Sequence, residues 1–183
     1  MQEEFLFAGF GGQGVMFAGQ LLAYAGMDEG MEVTWIPSYG PEMRGGTAHC
    51  YVVLSDKPIG SPIVSRPKVA LVFNNPSFEK YESLVAPGGV LVRNASLISQ
   101  ASGRTDITEL AVPATGLADD LGNLRLANVV MLGAMLTVHP ILSIDAIKHA
   151  LDGHIPEHRR NMLDINYQAL DKGAEVAPSL VTA

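Results

Sequence analysis

Four glycines, at positions 9, 11, 12 and 14, sit between an apolar run, Phe5-Leu6-Phe7-Ala8, and a helix-like pattern from Val15. That is how a strand, a tight turn and a helix N-terminus read in sequence, and Gly9, Gly11 and Gly14 match G-x-G-x-x-G literally. Such a turn lets backbone N–H groups approach an anion, helped by the positive end of the helix dipole. A second cluster follows at Tyr39-Gly40-Pro41-Glu42-Met43-Arg44-Gly45-Gly46. There Arg44, between flexible glycines, can offer a planar fork to a carboxylate or phosphate. Glu42 could orient that fork or face a partner.

Each feature has a plainer reading. The glycine turn can serve only to bring strand and helix together. Dinucleotide binding would want an acidic residue ending the second strand, and that end reads Trp35-Ile36-Pro37-Ser38. The loop can be an ordinary exposed one with a local Glu42/Arg44 pair, worth under about 1 kcal/mol. His154 and His158 have metal-ligand spacing but no evident third ligand, so they read as surface or capping histidines. Cys50, mid-strand among apolar residues, reads as a buried inert thiol. No residue is assigned as catalytic and none as a metal ligand.

The elements that must position these groups are strands at Glu4–Ala8, Glu32–Ile36, Thr47–Ser55, Val69–Phe73, Val90–Arg93 and Thr108–Pro113. Helices are expected at Val15–Met27, Pro76–Val85, Leu117–Leu121, Leu124–Thr137, from a Ser143 cap to about Leu151, and over Pro156–Lys172. Their alternation predicts a single α/β domain over residues 1–183, a three-layer α/β/α arrangement around a mixed, mostly parallel sheet. Residues 173–183 are expected to be its loosest part. If the first two strands are parallel neighbours, the Tyr39–Gly46 loop leaves the same sheet edge as the glycine turn. Gly19 and Gly26 predict close packing of the first helix. A Cβ at Gly12 is expected to crowd the turn.

Composition narrows the function. A chain of 183 residues with 48% hydrophobic residues can build a full core. Charged residues are only 17%, against a usual fraction of about 25%, which suggests surface hidden against another protein. The net charge of −7 argues against nucleic acid. The longest apolar stretch, Leu126–Val138, falls short of the roughly 20 residues a bilayer needs, so no membrane role is expected. That same stretch is apolar nearly all round, which favours a subunit interface over a core helix and would let the isolated chain pair as a dimer. One cysteine excludes an intrachain disulfide or a cluster held by this chain alone, and fits a reducing cytoplasm.

Taken in order, GFGGQGV, YGPEMRGG, the Ser-Pro of GSPIV and LANVVMLGA resemble the gamma subunit of 2-oxoacid:ferredoxin (acceptor) oxidoreductases over roughly residues 4–170. The resemblance implies an accessory subunit of an enzyme that decarboxylates a 2-oxoacid, reduces ferredoxin and makes an acyl-CoA. It implies alpha, beta and ferredoxin-like partner subunits, with thiamine diphosphate, iron–sulfur clusters and CoA in the complex and no cofactor held by this chain alone. By analogy Gly11, Gly12, Gln13 and Gly14 would contact CoA through their backbone. Tyr39, Glu42, Arg44, Gly45 and Gly46 would face the cofactor or the catalytic subunits. PEMRGG, rather than ERRGAP, looks more like the 2-oxoglutarate or branched-chain groups than the pyruvate branch, with 2-oxoglutarate preferred. The rival readings are a free-standing nucleotide-binding Rossmann-like protein and a regulatory binding module.

Overall fold

The computed structural model describes residues 1–39 and 47–182. The chain runs β1 (Gln2–Phe10), α1 (Val15–Asp28), β2 (Glu32–Tyr39), β3 (Thr47–Ser55), β4 (Val69–Val72), α2 (Asn75–Tyr81), β5 (Val90–Asn94), β6 (Thr108–Val112), α3 (Ala114–Asp120), α4 (Ala127–Val138), α5 (Ile144–His154), α6 (Leu163–Val176) and β7 (Val181–Thr182). The strands form one sheet in the order β2-β3-β1-β4-β5-β6-β7. β1, β4, β5 and β6 pair in parallel, while β3 and β7 run against their neighbours. Five of the seven strands therefore share one direction, the mixed and mostly parallel sheet that the sequence predicts.

The central strands are buried on both faces. Phe5 and Phe7 point into the larger core with Cys50, Val52, Leu54, Leu71 and Val92. Leu6 and Ala8 point into a smaller one with Ala70, Val72, Phe78 and Tyr81. On the first face α1 lies across β1, β2 and β3, α4 lies against β5 and β6, and α5 and α6 pack outside them. α2 covers the second face. In α1, a Cβ at Gly19 would overlap the Cys50 sulfur, and one at Gly26 would press on Leu54. The close packing expected there is thus packing onto β3.

Three differences from the sequence reading have physical causes. The apolar helix α4 is not an interface. Every residue from Asn128 to Leu136 is buried within the chain itself, so a dimer through this surface has no surface to use. The cover is α6, and it comes extraordinarily close: a Cβ on Gly133 would overlap the Leu170 carbonyl, and one on Gly173 the Val130 carbonyl. Two facing glycines let the helix backbones meet, and a second layer of helices absorbs apolar surface that a one-layer count leaves over. The tail expected to be loose is docked, since residues up to Val176 complete α6 and Leu110 of β6 pairs with Val181 of β7. Finally, β2 continues through Pro37 to Tyr39. Proline is tolerated because β2 is the sheet edge.

Replacing Gly173 with valine forces α6 off α4. Over-packing of this kind costs about 1–3 kcal/mol, and here backbone must move. The expected outcome is a clear fall in the thermal midpoint with exposure of apolar surface to a dye, whereas Ala174→Val, beside it, leaves both nearly unchanged.

Candidate functional site

The residues singled out in the sequence converge on one edge of the sheet, although not by the expected route. β1 and β2 are not neighbours, because β3 lies between them and is antiparallel to both. Two antiparallel steps restore the direction, so β2 still ends where β1 ends. Tyr39 is opposite Ala48, and Ala48 is opposite Gly9. The chain therefore leaves β2 and re-enters β3 beside the glycine turn. Glu42, Arg44, Gly45 and Gly46 lie outside the described residues.

The same edge is the switch point of the fold. β1 and β4 are parallel neighbours. After β1 the chain passes to α1 on one face, and after β4 to α2 on the other. Connections that diverge in this way leave a crevice at the strand C-termini, which is where open α/β sheets bind ligands.

The glycine turn at that crevice is built from the inside. Gly12 and Gly14 have φ of 98° and 73°, backbone conformations that favour glycine. Nothing lies within 4 Å of a Cβ placed on Gly12, so its requirement is conformational and the expected crowding is absent. Gln13 turns inward. Its Oε1 accepts from Phe10 N at 2.7 Å and from Asn74 Nδ2 at 2.9 Å, and its Nε2 donates to Phe73 O at 3.3 Å. Asn74 in turn caps α2, its Oδ1 accepting from Ser77 N at 2.9 Å, a contact worth about 1 kcal/mol. Gly14 is held from the far side, as Asn128 of α4 donates from Nδ2 to Gly14 O at 2.9 Å. Gly14 offers no side-chain cap to α1. Gly11 and Gly12 are exposed. The outward side of the turn thus presents bare backbone at a helix N-terminus, while the side chains are spent on holding it.

The neighbouring side chains divide into inert and polar sets. Cys50 is fully buried, and burial pushes its thiol up to about 12, against a smaller opposing effect from the Trp35 indole. It is no nucleophile. His154 closes α5, stacks on Tyr24 with ring centres 4.2 Å apart and faces the Asp28 carboxylate at 3.0 Å, so it is a structural histidine. Among the described residues no group of three His, Cys, Asp or Glu side chains is arranged for a metal ion. None of the described helices is long and apolar enough to cross a membrane. His49 is different. It is opposite Ala8, on the second face, and burial together with the Lys80 charge holds its pKa below the usual 6.5.

A family model described as pyruvate ferredoxin/flavodoxin oxidoreductase matches residues 4–176. The chain belongs to this family. It is 39% identical to the ketoisovalerate oxidoreductase subunit VorA of Methanothermobacter thermautotrophicus, a match covering 93% of this chain and 35% of VorA. The chain thus spans about a third of that relative's length. It is 34% identical to the 2-oxoglutarate synthase subunit KorC of Methanocaldococcus jannaschii, over 98% of this chain and 96% of KorC. Among solved structures, the gamma subunit of a keto/oxoacid ferredoxin oxidoreductase from Geobacter sulfurreducens superposes with a TM-score of 0.86. That match is 28% identical and covers 100% of this chain and 99% of the other.

Within this family domain, sequence reasoning found the turn but missed its supports. Asn74 could have been read from its place before Asn75-Pro76, a cap followed by proline in the first turn. Asn128 is the one strong polar group of its apolar helix, but its partner lies 114 residues away. Gln13 was read for its backbone, whereas its side chain is the hub.

His49 yields a pH test. The folded-state pKa is lowered, so between it and the unfolded value near 6.5 the unfolded chain binds more protons. The His49 contribution is level above about pH 6.5 and destabilises the fold as pH falls below it. In paired denaturation series, His49→Asn is expected to show a shallower loss of stability below pH 6.5 than the wild type. Parallel curves would show that His49 titrates alike in both states.

Proposed function

We propose that this chain is the gamma-type, accessory subunit of a multi-subunit 2-oxoacid:ferredoxin oxidoreductase, which oxidatively decarboxylates a 2-oxoacid to its acyl-CoA and reduces ferredoxin. The reading is carried by the family match together with likeness to a gamma subunit along the whole chain. The single cysteine, buried, cannot furnish cluster ligands alone. The redox chemistry therefore falls to alpha, beta and ferredoxin-like partners, which would carry the thiamine diphosphate and the iron–sulfur clusters. A cytoplasmic location goes with that chemistry.

CoA fits the crevice chemically. When bound it supplies the thiol that takes up the acyl group. This chain's part is binding and orientation: the backbone N–H groups of Gly11, Gly12 and Gly14 face an anionic group at the N-terminus of α1. Gln13 belongs to this set only through its backbone, because its amide is engaged within the fold. Tyr39, Glu42, Arg44, Gly45 and Gly46 would stand on the partner or cofactor side, with Arg44 the natural donor to a phosphate. The preferred oxoacid is 2-oxoglutarate, in line with the KorC relative. A branched-chain oxoacid is the second reading, favoured by the 39% identity to VorA.

Purification of the chain from its native source should bring down a thiamine-diphosphate subunit and a ferredoxin-like subunit in stoichiometric yield. Recovery of the chain alone, with saturable micromolar NADH binding, would instead establish the free-standing nucleotide-binding alternative. In the assembled complex Arg44→Ala should raise the KM for CoA about tenfold or more, the scale of a lost charge-assisted contact, and leave the fold of the isolated chain intact. Unchanged CoA affinity and turnover would remove Arg44 from the site.

A further inference from the structure

A second set of polar side chains lies on the sheet face opposite α1, and the function proposed above does not use it. His49 and Tyr51 of β3 alternate away from the buried Cys50, Val52 and Leu54, toward the face covered by α2. There the His49 ring stands edge-on to Tyr51, with centres 5.6 Å apart, and lies 5.6 Å from the Tyr81 ring. The Lys80 ammonium sits 4.9 Å from the centre of the Tyr81 ring. Ser77 precedes Tyr81 by one helical turn and so shares its side of α2.

The hydrogen-bonding state of these groups is unusual. Ser77 is 1% exposed and Tyr81 3%. Their hydroxyls are buried, and neither has a hydrogen-bond partner among the described residues. Folded proteins rarely leave such groups unpaired, because a buried donor without an acceptor forfeits its hydration for nothing. Two such donors occur one turn apart. Around them stand a half-buried imidazole, a second phenol and an exposed ammonium, and none of the five side chains is a carboxylate. What the cluster lacks is an acceptor with negative charge.

We infer that His49, Tyr51, Ser77, Lys80 and Tyr81 form a binding site for a small oxyanion, a carboxylate or phosphate group, admitted past the His49 ring and held by the Tyr81 and Ser77 hydroxyls. Lys80 supplies the countercharge at the rim. The rim is reachable, since Lys80 is exposed and His49 and Tyr51 are only partly buried. The site lies on the α2 face of the sheet, linked to the glycine turn through Asn74, which bonds both Gln13 and Ser77 N, and it stands whether or not the chain works in an oxidoreductase.

The test uses the full chain in solution. The His49 ring resonances are followed by nuclear magnetic resonance during titration with inorganic phosphate in one arm and acetate in the other, at constant ionic strength in chloride. A saturable shift in the phosphate arm alone identifies a phosphate site, and one in the acetate arm a carboxylate site. Tyr81→Phe removes an unpaired hydroxyl, so its thermal midpoint should be unchanged or higher, while affinity for the effective anion falls about tenfold. Lys80→Gln, at an exposed position, should weaken binding in the same sense and gives a second reading should Tyr81→Phe disturb the core. Absence of a saturable shift with both anions, or wild-type affinity in both variants, overturns the assignment.

Discussion

The contact on which the rest depends is the meeting of two helix backbones, α4 against α6. Gly133 faces the Leu170 carbonyl and Gly173 the Val130 carbonyl, with no room for a side-chain carbon at either. That approach seals α4 between the sheet and α6. A sealed α4 brings Asn128 to a fixed place, where its amide holds the carbonyl of Gly14. Gly14 begins α1, and α1 is the helix whose N-terminus faces the crevice. Packing at the far side of the domain is thereby linked, through one hydrogen bond, to the geometry of the candidate site.

Three amides share the work of shaping the turn. Asn128 fixes its end, Gln13 its middle, and Asn74 joins the middle to the next helix. Gln13 and Asn74 pair backbone groups inside the fold, and Asn128 adds a second donor to the Gly14 carbonyl, which already accepts from Ala18 N at 3.0 Å. The consequence is a division of labour between the two sides of the loop. Inward, the side chains of Gln13, Asn74 and Asn128 brace a turn that the backbone closes from Gln13 N to Phe10 O at 3.2 Å. Outward, Gly11 and Gly12 present backbone without any Cβ to keep a ligand or a partner away. A loop held this firmly needs little reorganisation on binding, and that favours affinity.

Much of this was legible in the residues. The strand, turn and helix at the start, the alternation of Cys50, Val52 and Leu54 against His49 and Tyr51, and the Ser143 cap all follow from local rules, and all appear. Local rules stop where chain-distant partners decide. The apolar circumference of α4 carries no mark of what covers it, since another subunit and the chain's own α6 would ask for the same side chains. The facing glycine on α6 was the available signal, and it gains meaning only when paired with Gly133. Parallel adjacency of β1 and β2 is only a supposition at the level of sequence; the insertion of β3 between them is set by chain-distant pairing, which periodicity does not encode. The common exit edge holds without that adjacency because direction is restored by two reversals.

The burial of α4 also changes how the shortage of charge should be understood. At 17% charged residues, the chain invites the view that apolar surface awaits a partner. Two apolar helices, α1 and α4, together with the central strands, account for much of that composition within the chain itself, because a sheet covered by two layers of helices on one face needs more interior than a single layer would. Reliance on partners must then be argued from other ground. It rests on family membership, on similarity to a gamma subunit along the whole chain, and on an edge where, among the described residues, Gly11 and Gly12 stand exposed at the start of a helix.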